Sequence, residues 1–314
     1  MAKRVPNIFY RFRSFSEATL DLLCHDSLHF ANPSTFNDPL DCKPSLDPDS
    51  TVEELRELLA TLVKQRVQTE MIESLKRARI GGDRAQIHAH KGADNEASRI
   101  LSDVAYHATN PEYDDSPENV EIKLLRNKIH DELARYYERG VCSFSSTYSN
   151  PLLWSHYGDQ HQGLCIGYDL VRNPQPVMRK VIYGGNRIIK TSTLVAAILR
   201  DDQRAREKLE KDMLLRKARC WEYEAEWRLI GKQGIQDSPL RLKEITFGLR
   251  CPSSIIYTVV TALRNRKQPI KFFEMYVVRD SYRLGRKVPN FEELHLYMPR
   301  TAESAEEALE TFKE

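Results

Sequence analysis

Glu222, Glu224 and Glu226 stand two residues apart, and Arg228 continues the series. Read as a β-strand over residues 220–230, these four share one face. Trp221, Tyr223, Ala225, Trp227 and Leu229 then take the other, because side chains alternate along a strand. Neighbours on one face sit about 6.5–7 Å apart, twice the rise per residue. Carboxylates at that spacing repel, and partial shielding from water raises the pKa of at least one of them. Arg228, with Lys217 and Arg219 from the preceding turn, would keep the others ionised. The competing reading is an amphipathic edge strand with a solvated charged face.

Other reactive types fall around this segment in chain order. Arg11 and Arg13 share one face of a strand expected over residues 7–15, with Ile8, Tyr10, Phe12 and Ser14 on the other. Guanidinium forks suit phosphate better than an ammonium does. Ser143 and Ser145 lie in a strand-like run over 141–147. A turn then leads to a short helix bearing Trp154, His156 and Tyr157. Trp154 and Tyr157 share a helical face, where core packing is the competing role. Asn37 and Asp38 sit in the stretch 34–41, whose Asn, Asp and flanking prolines are turn chemistry.

The elements that must position these groups are of both kinds. Strand patterns occur before residue 50 and again after 140, whereas 51–139 reads as a helical insertion. Thr51 and Glu54 form a capping box ahead of leucines at helical spacing, and Gly81-Gly82 closes that region. A polar stretch to Asp94 reads as a loop or a frayed helix, followed by a short helix over about 96–107 and another from Pro117 to Gly140. Beyond it, the pattern predicts strands near 163–168, 178–183, 243–247 and 270–278. Helices are expected over 192–217, 252–263 and 302–313. The expected organisation is one α+β domain from 1–50 and 140–300, a helical insertion at 51–139 and a terminal helix at 301–314.

Composition excludes several classes. With 47 basic against 45 acidic residues, the net charge of +2 gives no bulk attraction to nucleic acid or an anionic membrane. Six cysteines show no C-x-x-C spacing and read as reduced thiols, and no second pair accompanies Cys24-His25 as a metal ligand set. The absence of a leader pattern and of long apolar runs leads to the expectation of a cytoplasmic chain without a membrane partner. Neither G-x-G-x-x-G nor G-x-x-x-x-G-K-[ST] occurs.

Taken together, Tyr10-Arg11-Phe12-Arg13-Ser14, Asn32-Pro33…Phe36-Asn37-Asp38-Pro39, Ser143-Phe144-Ser145…Trp154-Ser155-His156-Tyr157…His161-Gln162-Gly163 and Lys217…Trp221 to Arg228 resemble a bacterial family known as domain of unknown function 2971. That family is often met in prophage or defence-type settings, which implies a toxin or phage-defence effector. More loosely, the order of pieces is similar to arginine–serine–glutamate ADP-ribosyltransferases. This second resemblance implies a central mixed or antiparallel sheet and NAD as substrate. It also implies transfer of ADP-ribose to a macromolecule, protein or nucleic acid, or to water. Arg11 or Arg13 would hold the pyrophosphate, Ser143 or Ser145 would supply the strand serine, and Glu226 would stabilise the ribosyl cation. Glu224 would orient or deprotonate the acceptor, while Tyr157 or Trp154 would stack on nicotinamide. Phe144 interrupts the serine strand, which leaves its register open. Two other readings stand beside this one: a metal-dependent nuclease built on Asp38, Asp41 and the glutamates, and a non-catalytic sensor module.

Overall fold

The computed structural model describes residues 5–136, 139–302 and 304. Strand β1 (Phe9–Arg13) leads to helix α1 (Glu17–Cys24), which Ser16 caps by accepting the Thr19 N–H at 3.1 Å. Strands β2 (Ser27–Phe30) and β3 (Ser45–Asp47) follow, then three long helices, α2 (Val52–Arg77), α3 (Asp83–Ala108) and α4 (Pro117–Tyr136). The Thr51–Glu54 capping box forms, each side chain bonding the other residue's backbone N–H. The polar stretch to Asp94 is the first half of α3, the helical one of its two readings, and runs without a break into the helix expected over 96–107. Buried Ala89, Ala93 and Ala97 lie four apart and give it a small-residue face against α2, and a Cβ on Gly92 would meet the Met71 sulfur at 2.6 Å.

The chain re-enters the sheet at β4 (Gly140–Ser145), followed by α5 (Pro151–His156) and β5 (Leu164–Asp169). Short strands β6 (Arg179–Lys180), β7 (Ile182–Tyr183) and β8 (Ile188–Lys190) precede α6 (Thr191–Ile198), α7 (Gln203–Leu214) and β9 (Arg216–Lys217). The single helix expected over 192–217 is therefore two. Asp201 takes φ +55° and the Asp202 side chain accepts the N–H groups of Arg204 and Ala205, so a new helix starts there. The remaining elements are β10 (Glu226–Gly231), β11 (Gly234–Asp237), β12 (Arg241–Phe247), α8 (Ser253–Leu263), β13 (Lys271–Val277), β14 (Leu284–Lys287) and α9 (Phe291–Tyr297). The expected terminal helix falls almost wholly outside the described residues.

Eight strands form one mixed sheet in the order β14-β13-β12-β5-β1-β4-β10-β6, antiparallel except for the parallel β12–β13 pair. The protein is thus of the mixed α+β class. On one face, Phe9, Phe144, Ile166 and Trp227 pack under α1 and α8. On the other, Tyr10, Phe12 and Cys165 pack against Trp154 of α5. The long helices share a third core with α6 and α7. Register aligns Glu244, Gly167, Tyr10, Ser145 and Glu226 in one row across five strands. β1 and β4 pair only at Tyr10 and Ser145, after which Val141 bridges Ala31 and the two strands part. Among the described residues, no helix is long and apolar enough to cross a membrane.

Candidate active site

The acidic segment is not the continuous strand its alternation predicts. Residues Arg219–Glu224 form a 3-10 turn, Ala225 is left-handed at φ 47°, ψ 48°, and the strand begins only at Glu226. Three contacts draw the backbone out of line. Ser145 Oγ donates to the Glu224 carbonyl at 2.7 Å, the Ser146 N–H to the Ala225 carbonyl at 3.2 Å, and Asn150 Nδ2 to the Tyr223 carbonyl at 2.8 Å. Glu222 is consequently on the surface, 3.7 Å from Arg219. Glu224 and Glu226 both turn inward, through a backbone reversal and not through a shared strand face.

Lys217 joins them, with Nζ 2.6 Å from Glu224 Oε2, 3.0 Å from Glu226 Oε2 and 3.7 Å from Asp41 Oδ2. Arg228 holds the far side of Glu226 through Nε at 2.8 Å and binds Asp41 through Nη2 at 2.6 Å. Its remaining donor reaches the Leu214 carbonyl at 2.7 Å. No member of this set is more than 9% exposed, and Arg228 is fully enclosed. Buried ions are tolerated only when paired and hydrogen-bonded, as here. Three carboxylates against two cations leave one negative charge in excess.

That surplus settles on Glu224. Burial raises its pKa, and the repulsion of Glu226 adds to the rise against the opposing pull of Lys217. Glu226 goes the other way. Burial alone would raise it, but Arg228 and Lys217, helped by a hydrogen bond from Ser143, hold it down at about 2. Lys217 is raised because the two glutamates outweigh the cost of burying its ammonium. Tyr157 donates its hydroxyl to Glu224 Oε1 at 2.8 Å, and Asn37 donates to that hydroxyl at 3.3 Å. Glu224 thus has the higher affinity for a proton, and Glu226 is a fixed anion.

Where β1 and β4 part, a cavity of about 490 Å³ opens. Its lining includes Tyr10, Arg11, Arg13, Asn37, Ser143, Ser145, His156, Tyr157, Glu224 and Glu226, together with Asp41 and Lys217. Register sets Arg11 and Arg13 on the face of β1 opposite Tyr10, Ser145 and Glu226, so the cationic pair does not confront the acidic wall across one sheet face. The gap between the strands is what brings both to the same cavity. Arg11 donates to the His29 carbonyl at 3.1 Å and to the Cys142 sulfur, and among the described residues neither arginine meets a carboxylate. Burial and the neighbouring Arg11 push Arg13 down to about 10, and the same two guanidiniums add to the lowering of His29.

Three expected site residues lie elsewhere. Trp154 is wholly buried, edge-on to Phe12 at 5.1 Å, with its indole N–H on the Tyr148 carbonyl, which corrects its expected stacking on nicotinamide. Asp38 accepts from the Trp221 indole at 2.8 Å and from the Leu40 N–H, as turn chemistry demands. Arg228 lies beneath Glu226, where it clamps the carboxylate and does not line the cavity. Of the carboxylates in the nuclease reading, Asp38 lies apart on the Trp221 indole, whereas Asp41 and Glu226 are both engaged by Arg228. Among the described residues, no group of three or more His, Cys, Asp or Glu side chains is arranged to hold a metal ion. The pairing of Asp41 with Arg228 was missed from sequence, where Asp41 reads as turn chemistry or as a ligand in the nuclease alternative. Tyr183 was missed too, although its hydroxyl accepts the Glu226 N–H at 2.7 Å.

Fold and site together define a mixed α+β protein with a cavity at a split in its sheet. Residues 153–229 match the model of a family described as "Protein of unknown function (DUF2971)". The matched segment holds Tyr157, Lys217, Glu224, Glu226 and Arg228, the acidic wall and its clamp, but neither β1 arginine. No curated protein and no solved structure matches the chain.

Proposed function

We propose that the cavity binds NAD and that the chain cleaves its nicotinamide–ribose bond, passing ADP-ribose to a macromolecular acceptor or to water. One observation carries the reading. A single cavity has two arginines without acidic partners on one wall and, on another, a carboxylate in excess of its cations. The arginines suit the pyrophosphate, whose charge would offset the repulsion between them. Nicotinamide departs with the electron pair of the glycosidic bond and leaves a ribosyl centre with oxocarbenium character. An adjacent anion stabilises that charge. Glu224 is better suited to this role than Glu226, whose charge is already met by Arg228 and Lys217. The incoming nucleophile forms the new bond at C1′ and gives its proton to Glu224. Ser145 holds the Glu224 backbone, and Tyr157 orients its carboxylate.

Nicotinamide release from NAD by wild type and by Glu224→Gln tests this reading. The expected outcome is turnover by wild type and a loss of about 100-fold or more in the variant, the size of a lost charge-stabilising group. Undiminished release by the variant removes Glu224 from the mechanism. Absence of both release and NAD binding in wild type overturns the proposal.

A further inference from the structure

Beyond the cavity, a row of aromatic rings continues over the surface. His156 and Tyr157 stand on the cavity wall with centroids 6.2 Å apart. The His156 ring lies 6.4 Å from Tyr223, which lies 6.1 Å from Trp221. His156 is exposed and the other three are partly so. NAD cleavage needs at most the innermost of these rings. Arg219 flanks the row, its side chain 85% exposed, with Glu222 as an equally surface-bound partner at 3.7 Å. An exposed pair of that kind holds an arginine weakly. Arg187, also exposed, follows the Gly184-Gly185 turn, whose first glycine abuts the Arg219 side chain.

We infer that this rim docks single-stranded nucleic acid, and that an unpaired base is the acceptor of the ADP-ribosyl group. The inference rests on the NAD reading for the transfer step, whereas the docking surface stands on the rings and arginines themselves. Every base offers a π-face, so a row of rings binds single strands with little regard to sequence. Flanking guanidiniums meet the phosphates between stacked bases. A duplex hides both the faces to be stacked and the edge to be modified. The near-neutral net charge of +2 confines attraction to this patch, which implies a footprint of a few nucleotides. Tyr157 belongs to the rim and also bonds Glu224, so a base stacked there lies next to the carboxylate. In the transfer, a ring or exocyclic N–H of the base bonds to C1′ as nicotinamide leaves. Its proton passes to Glu224 and then to water, and no oxidant or reductant is required.

Fluorescence anisotropy with labelled oligonucleotides of about 12 residues, within the range of known single-strand site sizes, tests the docking surface on the full chain. Single strands are expected to bind, less tightly as salt rises, and matched duplexes to bind at least about tenfold more weakly. The double variant Tyr223→Ser/Arg219→Ser should weaken single-strand binding by about tenfold or more. Its far-ultraviolet circular dichroism and, below its melting transition, its nicotinamide release into water should stay at wild-type values. With NAD present, the oligonucleotide should gain the mass of one ADP-ribosyl group. Absence of single-strand binding, or equal binding by wild type and the double variant, overturns the inference even if NAD is hydrolysed. Oligonucleotide binding without nicotinamide release overturns the transfer and the NAD reading, and leaves the docking surface standing.

Discussion

Glu224 and Glu226 carry the same functional group two positions apart, yet their surroundings drive them in opposite directions, and this has measurable consequences for stability. Glu226 titrates at about 2 in the folded chain, below its ordinary 4.5. The stability it contributes is therefore complete above pH 4.5 and is lost as pH falls towards about 2. Glu224 has the reverse sign: its raised pKa costs stability at neutral pH, and protonation returns it. Glu226→Gln should remove the acid-side loss and lower neutral-pH stability by about 3 kcal/mol, because Arg228 and Lys217 lose the carboxylate they share while Asp41 still holds Arg228. Glu224→Gln leaves two carboxylates for two cations and should melt near the wild-type temperature at neutral pH. Thermal melts of the three proteins across this pH range check both statements. Equal melting of the two variants at neutral pH would contradict the assignment of the surplus charge to Glu224.

At the scale of elements, one residue converts a strand-like pattern into a site. Ala225 holds a left-handed conformation that costs an L-residue roughly 1–2 kcal/mol, against about 0.5–1 kcal/mol for the extra freedom of glycine in the unfolded chain. Ala225→Gly is therefore expected to be neutral or to stabilise slightly in a thermal melt, whereas the β-branched Ala225→Val should destabilise and slow nicotinamide release. Alternation read correctly from Glu226 onward, where β10 pairs with β4 along its length, and the capping of α2 was equally legible because Thr51 and Glu54 stand three residues apart. Alternation misread 220–224, since Glu222 and Glu224 fit a period of two while Ser145 and Asn150, distant in sequence, pull the backbone into a 3-10 turn. The Arg11/Arg13 face was also legible. Their access to the cavity was not, because it depends on where β4 leaves β1. Trp154 illustrates the same difficulty, as a helix face does not announce whether it meets a core or a cleft.

Across the whole molecule, the helices over Val52–Tyr136 are bound to the site through one continuous core. Leu55, Leu58, Leu59 and Leu62 of α2 pack with Leu125 and Ile129 of α4 and with Leu194, Leu209 and Met213 of α6 and α7. The cap residue that follows α7 is Leu215, and the carbonyl of Leu214, the helix's last residue, accepts a hydrogen bond from Arg228 at 2.7 Å. The Lys217 strand then leaves that end and pairs with β7. Loosening the helical layer should therefore not release an independent module but should lower the stability of the acidic wall with it. Leu58 is fully buried, and Leu58→Ala should cost about 2–5 kcal/mol from lost transfer energy and the cavity left behind. Circular dichroism, dominated by the long helices, and tryptophan fluorescence, which reports Trp154, Trp221 and Trp227 around the sheet, should shift together to one lower midpoint. Two separated transitions, with only the helical signal moved, would show that the insertion melts alone and that the cavity does not depend on it.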